Sequence, residues 1–324
     1  IPDHSPFEDV LRRCFNFDQT QRPTAQELTI LVEGLMPPRT FNTSNYKREY
    51  EKVVPITEAA QVLSELKKFL STLVRVRRGV ITEEDSDRVR EFYQQLRDET
   101  QRHADGPQNS LAAEVGATAE LLWTSPQTFN GMGDLGLNTE LSSLLNLAIR
   151  DDHADLAPST VALARALNAL CVAPGRNFAS VMPLFPPGGI SWRGTGFEDA
   201  HRDFFTPGKT YRVPGFLATS FSRAVAERFI FNNATALGKP AVLWKVHVNP
   251  EGEHQPGKLC RHVNYVAKTH VQGEQEYLFT AYSVFTIRQV TWSVNPQATP
   301  HEIELDAALD NQEHSLDLPL APWY

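Results

Sequence analysis

The chain has 324 residues, 41% hydrophobic and 22% charged, with 31 Lys plus Arg against 39 Asp plus Glu and a net charge of −8. This is the composition of a globular protein with chain enough for about two domains. The acidic balance argues against coating nucleic acid, and no apolar run reaches the roughly 18–20 residues that a membrane span needs. Cys14, Cys171 and Cys260 are widely separated and form no CxxC pair, which predicts a reducing, cytoplasmic setting. The first residue is Ile1 and no signal segment follows it, as expected of a piece of a longer protein.

Residues 1–36 read as two helices around a break at Asp18–Pro23, with Val10, Leu11, Cys14 and Phe15 on the first and Leu28, Leu31, Val32 and Leu35 on the second. The string PFEDVLRRCFNFDQTQRPTAQEL resembles the last two helices of the protein-kinase C-terminal lobe. In that resemblance Arg22 anchors the lobe, and Phe15 stands where the family carries Trp. The parts that phosphoryl transfer needs (a glycine-rich loop, an ATP-pairing Lys and a catalytic loop) are missing, so the segment implies a kinase domain upstream rather than kinase activity here.

Residues 37–55, opening with Pro37-Pro38, read as a linker. Val62, Leu66, Phe69, Leu73 and Val76 then step at helical spacing as far as Gly79. Thr82 with Asp85 caps a second helix carrying Val89, Phe92 and Leu96, and the two predict an antiparallel hairpin over 56–105. Helices are also predicted over Leu111–Trp123, Leu141–Arg150 and Thr160–Val172.

After Pro183 the texture changes to short β-branched runs: Ile190–Trp192, Val213–Leu217, Val242–Val248, Val263–Val266, Tyr277–Thr280, Val284–Trp292 and Ile303–Leu305. One helix, Arg223–Leu237, interrupts them. Helices first and strands later predict an α+β class.

Two patterns weaken on inspection. Gly131-Met132-Gly133-Asp134-Leu135-Gly136 matches GxGxxG, with Asp152 or Asp155 at ribose-contact distance, but Thr124-Ser125-Pro126-Gln127 stands where a dinucleotide site needs a buried strand. It reads as a loop before a helix capped by Asn138. Cys260 and His262 should share a strand face near His270, yet they lack further ligands at metal spacing. No metal is expected.

Three further elements follow one another in order. Ser191-Trp192-Arg193-Gly194-Thr195-Gly196 is a strand ending in Arg, and Pro214-Gly215-Phe216-Leu217-Ala218-Thr219-Ser220 is a strand ending in hydroxyls. Gly273-Glu274-Gln275-Glu276-Tyr277-Leu278-Phe279 opens a strand with two carboxylates at i and i+2. Together with FLATSFSRAVAERF, EQEYLFTAYSVFTIRQV and the helical stretch LNTELSSLLNLAIRDDHADLAPSTVALARALNAL, they resemble the mono-ADP-ribosyltransferase family of the Arg, Ser-Thr-Ser, Glu-x-Glu class over residues 110–324.

The resemblance implies a helical lobe beside two small β-sheets, and transfer of ADP-ribose from NAD to an arginine of a protein with release of nicotinamide. NAD is then a substrate. An NAD glycohydrolase, or a weakened NAD- or partner-binding module, is the alternative. Glu276 is expected to stabilise an oxocarbenium-like ribose, and Glu274, two residues away on the same strand face, to receive the incoming guanidinium. Such close carboxylates should raise each other's pKa. Arg193 would clamp an NAD phosphate or ribose, Gly194 would let backbone approach the nicotinamide amide, and Thr219 and Ser220 would shape the pocket and orient Glu276. One departure stands out. The first Ser of the motif is Ala218, which leaves Ser220 or Thr219 to bond the carboxylate, or lowers activity.

Overall fold

The computed structural model describes residues 44–52, 56–103, 111–169, 186–230, 238–248, 260, 262–266, 269–271 and 273–322. The chain divides into two units, Ile1–Thr40 and Phe41–Tyr324. The first, with the kinase-like string, Arg22 and Phe15, lies outside the described residues, as do Cys171 and the ends of the helices expected to reach Val172 and Leu237.

The segment expected as a linker contains a helix, α1 (Asn45–Lys52). Its N-terminal N–H groups have no intrahelical acceptors, and a carboxylate from far along the chain supplies them. Asp152 accepts from the backbone N–H of Asn45 and of Tyr46, at 2.9 and 2.8 Å, and from the Ser44 hydroxyl. Asp152 can do this because it sits in the left-handed conformation, φ 50°, at the end of a later helix.

Helix α2 (Ala59–Arg78) stops at Gly79, φ 89°, as predicted. Helix α3 (Glu83–His103) starts with a reciprocal cap: the Thr82 hydroxyl accepts from the Asp85 N–H, and the Asp85 carboxylate accepts from the Thr82 N–H. Helices α4 (Leu111–Trp123), α5 (Leu141–Asp151) and α6 (Ala157–Asn168) follow. Val62, Leu66, Phe69, Leu70 and Leu73 of α2 and Phe92 and Leu96 of α3 are buried in one core with Leu144, Leu145 and Val161. Residues 56–103 therefore pack as part of the same helical layer as α4–α6.

The N-cap of α5 is Glu140 in an extended conformation, so Asn138 is not its cap. The GxGxxG stretch is a 3-10 turn, Gly133–Leu135, between Gly131 and Gly136 at positive φ, and it is preceded by a single bridge, Thr128↔Glu140. A strand feeding a phosphate-binding helix is not what these residues form.

Among the described residues, the second half forms a sheet of eight strands: β1 (Ile190–Gly196), β2 (Thr210–Val213), β3 (Leu217–Ser220), β4 (Ala241–His247), β5 (Val263–Tyr265), β6 (Glu276–Phe279), β7 (Ser283–Thr291) and β8 (His301–Ala307). The class is α+β, as the sequence predicts. Strand order is β2-β7-β8-β4-β1-β3-β6-β5, antiparallel throughout except for β4 with β8. Strand β1 pairs with β4 over seven residues but with β3 only at Trp192↔Ser220. A five-strand part and a three-strand part are thus hydrogen-bonded at one residue pair, and this is how the two expected small sheets meet. The run Val213–Leu217, expected as one strand, breaks into the end of β2, a turn and the start of β3. Pro214 and Gly215 explain the break, because neither supports a ladder interior.

Helix α7 (Arg223–Phe229) packs on β1. A Cβ built on Gly194 would lie 1.8 Å from the Ala226 carbonyl oxygen, so only glycine lets the helix backbone approach this strand. Gly194→Ala should cost about 1–3 kcal/mol through overpacking. The expected result is a fall of several degrees in Tm; an unchanged Tm would mean that α7 retreats freely.

Candidate active site

The split between β1 and β3 opens into a cleft of about 390 Å³, walled by the end of α4, the start of α5, β1, β3, α7 and the chain leading into β6. A sheet continuous at this point would have no room for it. Two contacts hold the edges. The Arg193 guanidinium crosses the split and donates to the Ala218 carbonyl at 2.8 Å. On the helical side, the Asn146 side chain accepts from the Phe216 N–H at 2.8 Å and donates to the Phe216 carbonyl at 3.3 Å, tying the turn before β3 to α5.

Arg193, Gly194, Ala218, Thr219, Ser220, Glu274 and Glu276 all line this cleft. The sequence-predicted residues, drawn from three segments spanning more than eighty positions, are brought together. Ser220 pairs with Trp192 on one side and with Glu276 on the other, which sets the three elements in register.

The two carboxylates are placed differently from the expectation. Glu276 opens β6, but Gln275 has a left-handed φ of 49° and Gly273 one of 84°, so Glu274 lies in the loop ahead of the strand. Strand alternation therefore does not put the two on one face; the loop brings Glu274 to the same cleft. Their electrostatics also have a different main cause. Glu276 is partly exposed to the cleft, yet enough protein surrounds its carboxyl that desolvation is the largest effect and raises its pKa to about 7. A hydrogen bond from Trp123 and the charge of Arg193 oppose the rise, and Glu274 adds to it. Burial likewise raises Glu274, where Arg228 opposes and the neighbouring carboxylate that contributes is Glu140. Burial raises Glu140 as well.

The hydroxyls do not hold Glu276. Ser220 Oγ donates to the Glu274 backbone carbonyl and accepts from the Ser222 N–H, so it braces the loop that carries Glu274. Thr219 Oγ1 donates to the Tyr277 carbonyl at 2.7 Å. The donor to the carboxylate is instead Trp123 Nε1, 2.9 Å from Glu276 Oε1.

Trp123, Glu140 and Asn146 are among the cleft residues that sequence reasoning did not find. The only signal was that Trp123 closes an apolar helix, and nothing local connects it to a residue 153 positions later. The Cys260–His262 pair belongs to the interior. The Cys260 thiol donates to the Ala308 carbonyl at 3.0 Å, and burial pushes the His262 pKa down to about 4. Among the described residues, no group of three or more His, Cys, Asp or Glu side chains could hold a metal ion.

No protein-family model matches the chain. No curated protein matches it in sequence. Solved structures do align with it. The ADP-ribosyltransferase HopU1 of Pseudomonas syringae pv. tomato DC3000 is 14% identical over 76% of this chain and 97% of its own, with a TM-score of 0.43. The type III effector XopAI from Xanthomonas axonopodis pv. citri is 12% identical over 84% of this chain and 95% of its own, at 0.45. The ADP-ribosyltransferase Vis in complex with agmatine is 16% identical over 71% of this chain and 87% of its own, at 0.40.

Proposed function

We propose that this cleft binds NAD, cleaves its nicotinamide–ribose bond and transfers ADP-ribose to an arginine side chain of a protein. The observation that carries the reading is the convergence of Arg193, Glu274 and Glu276 at the split of the sheet, where burial holds the Glu276 carboxyl above the usual carboxylate range.

In the proposed reaction the bond between the ribose anomeric carbon and the nicotinamide nitrogen breaks, and its electron pair leaves with nicotinamide. Positive charge builds on the ribose, where ionised Glu276 stabilises it more strongly in the transition state than in the ground state. Arg193 offers forked donors to an NAD phosphate or ribose oxygen. A guanidinium nitrogen of the acceptor then bonds to the anomeric carbon, and the proton it loses passes to Glu274. The raised pKa of Glu274 suits a group that takes up that proton. Gly194 lends its backbone to the cleft wall beside α7.

Because Glu276 must be ionised, kcat/KM for nicotinamide release should rise with pH through an acid limb centred near 7 and flatten above it. The direct test is incubation with NAD and polyarginine. Nicotinamide release together with ADP-ribose on the acceptor is expected. Release with free ADP-ribose alone would make the protein a glycohydrolase, and neither product would leave a binding module; either result overturns the proposal.

A further inference from the structure

Ala218 brings no hydroxyl to the cleft, and the hydroxyls of Thr219 and Ser220 are committed to backbone carbonyls. We infer that Trp123, from the helical layer, is the positioning residue for Glu276: its indole N–H holds the carboxylate in place of the missing serine. The inference rests on the transferase reading of the cleft.

Four observations converge on it. The bond is 2.9 Å long and joins a donor-only group to a carboxylate, a charge-assisted pairing of the stronger kind. Trp123 as a whole residue is only 7% exposed, which limits the access of water to its ring. Its ring is fixed from outside the carboxylate, packed at 5.2 Å against Phe216, whose own backbone is clamped by Asn146. Finally, Ala218 lines the same cleft as Trp123 and Glu276, two residues along β3 from Ser220, the partner of Glu276 in the ladder.

A donor brought from a helix, rather than from the strand beside β6, has a physical consequence. It couples the carboxylate's orientation to the docking of the helical layer against the three-strand part of the sheet. A strand serine would belong to the sheet; Trp123 belongs to α4. Its hydrogen bond also favours the ionised form, opposing part of the upward shift that burial imposes on Glu276, while Arg193 acts in the same sense and Glu274 in the opposite one.

Trp123→Phe keeps the ring and removes only the donor. We expect kcat for nicotinamide release to fall about ten- to a hundredfold, as for loss of a hydrogen bond to a charged group, with little change in KM. The acid limb of the pH profile should move to higher pH, which loss of packing alone would not produce. In the Trp123→Phe background, Ala218→Ser should regain at least about tenfold of that loss, a larger gain than the same substitution gives in the unsubstituted protein. An unshifted acid limb, or no differential rescue, would overturn the inference.

A readout independent of turnover keeps it separate from the transferase reading. In 15N-tryptophan-labelled protein, the indole resonance lost on Trp123→Phe should titrate with a midpoint near 7 and stop titrating in Glu276→Gln. If the unsubstituted protein releases no nicotinamide, the transferase reading fails and this titration alone judges the pair. A Trp123 indole that is insensitive to pH in active protein overturns the pairing and leaves the transferase reading intact.

Discussion

Glu276→Gln is expected to lower nicotinamide release by about a thousandfold or more, both with and without an arginine acceptor. The carboxylate acts on the ribose cation, which forms whatever attacks it afterwards, so hydrolysis and transfer fall together. The amide is nearly isosteric, and its oxygen can still accept from Trp123 Nε1, so the geometry around position 276 survives the substitution. Stability should survive as well. The carboxyl pKa is raised from 4.5 to about 7 in the folded state, so the stability linked to its proton is complete below about 4.5 and is lost as pH rises through 7. At pH 8 the ionised group disfavours folding, and a neutral amide removes that cost. The unfolding midpoint of Glu276→Gln at pH 8 should therefore equal or exceed that of the unsubstituted protein. A variant that keeps near-normal nicotinamide release would remove Glu276 from the chemistry.

Glu274→Gln is expected to separate two activities that Glu276→Gln abolishes together. Glu274 stands in the loop before β6, and Ser220 braces that loop by donating to the Glu274 backbone carbonyl rather than to its side chain. Replacing the carboxylate should thus leave the backbone path intact. What is lost is a charge facing the incoming guanidinium and an acceptor for the proton it releases. Arginine labelling should drop about a hundredfold or more, while cleavage of NAD by water continues at an appreciable rate. The assay measures nicotinamide release beside label incorporated into polyarginine. Equal loss of both would assign the two carboxylates a single shared role and would remove the support for an arginine acceptor.

Much of this molecule was legible along the chain, and the legible parts share a cause. Helices α2 and α3, the stop at Gly79 and the Thr82–Asp85 cap follow from periodicity and from side chains within a few residues of one another, which is where local propensity and capping operate. Most of the strands were equally visible as β-branched runs between breakers. The α+β class follows from the order of those elements, and the candidate residues Arg193, Glu274 and Glu276 from their motifs, although β1 does not end at Arg193 as expected: it runs on to Gly196, with Arg193 in mid-strand opposite Trp244.

What only tertiary structure decided depends on groups far apart in sequence. Asp152 caps α1, more than a hundred residues earlier, and so makes a helix of a stretch whose composition reads as linker. The single pairing of Trp192 with Ser220 opens the sheet and creates the cleft, a property of how strand registers meet rather than of any one strand. Glu274 reaches that cleft through the left-handed turn at Gln275, where strand alternation would have placed it by another route. The Ala218 departure reads along the chain as a missing donor. Only in the folded state does α4 supply one through Trp123, because a hydrogen bond depends on distance in space and the sequence records distance along the chain.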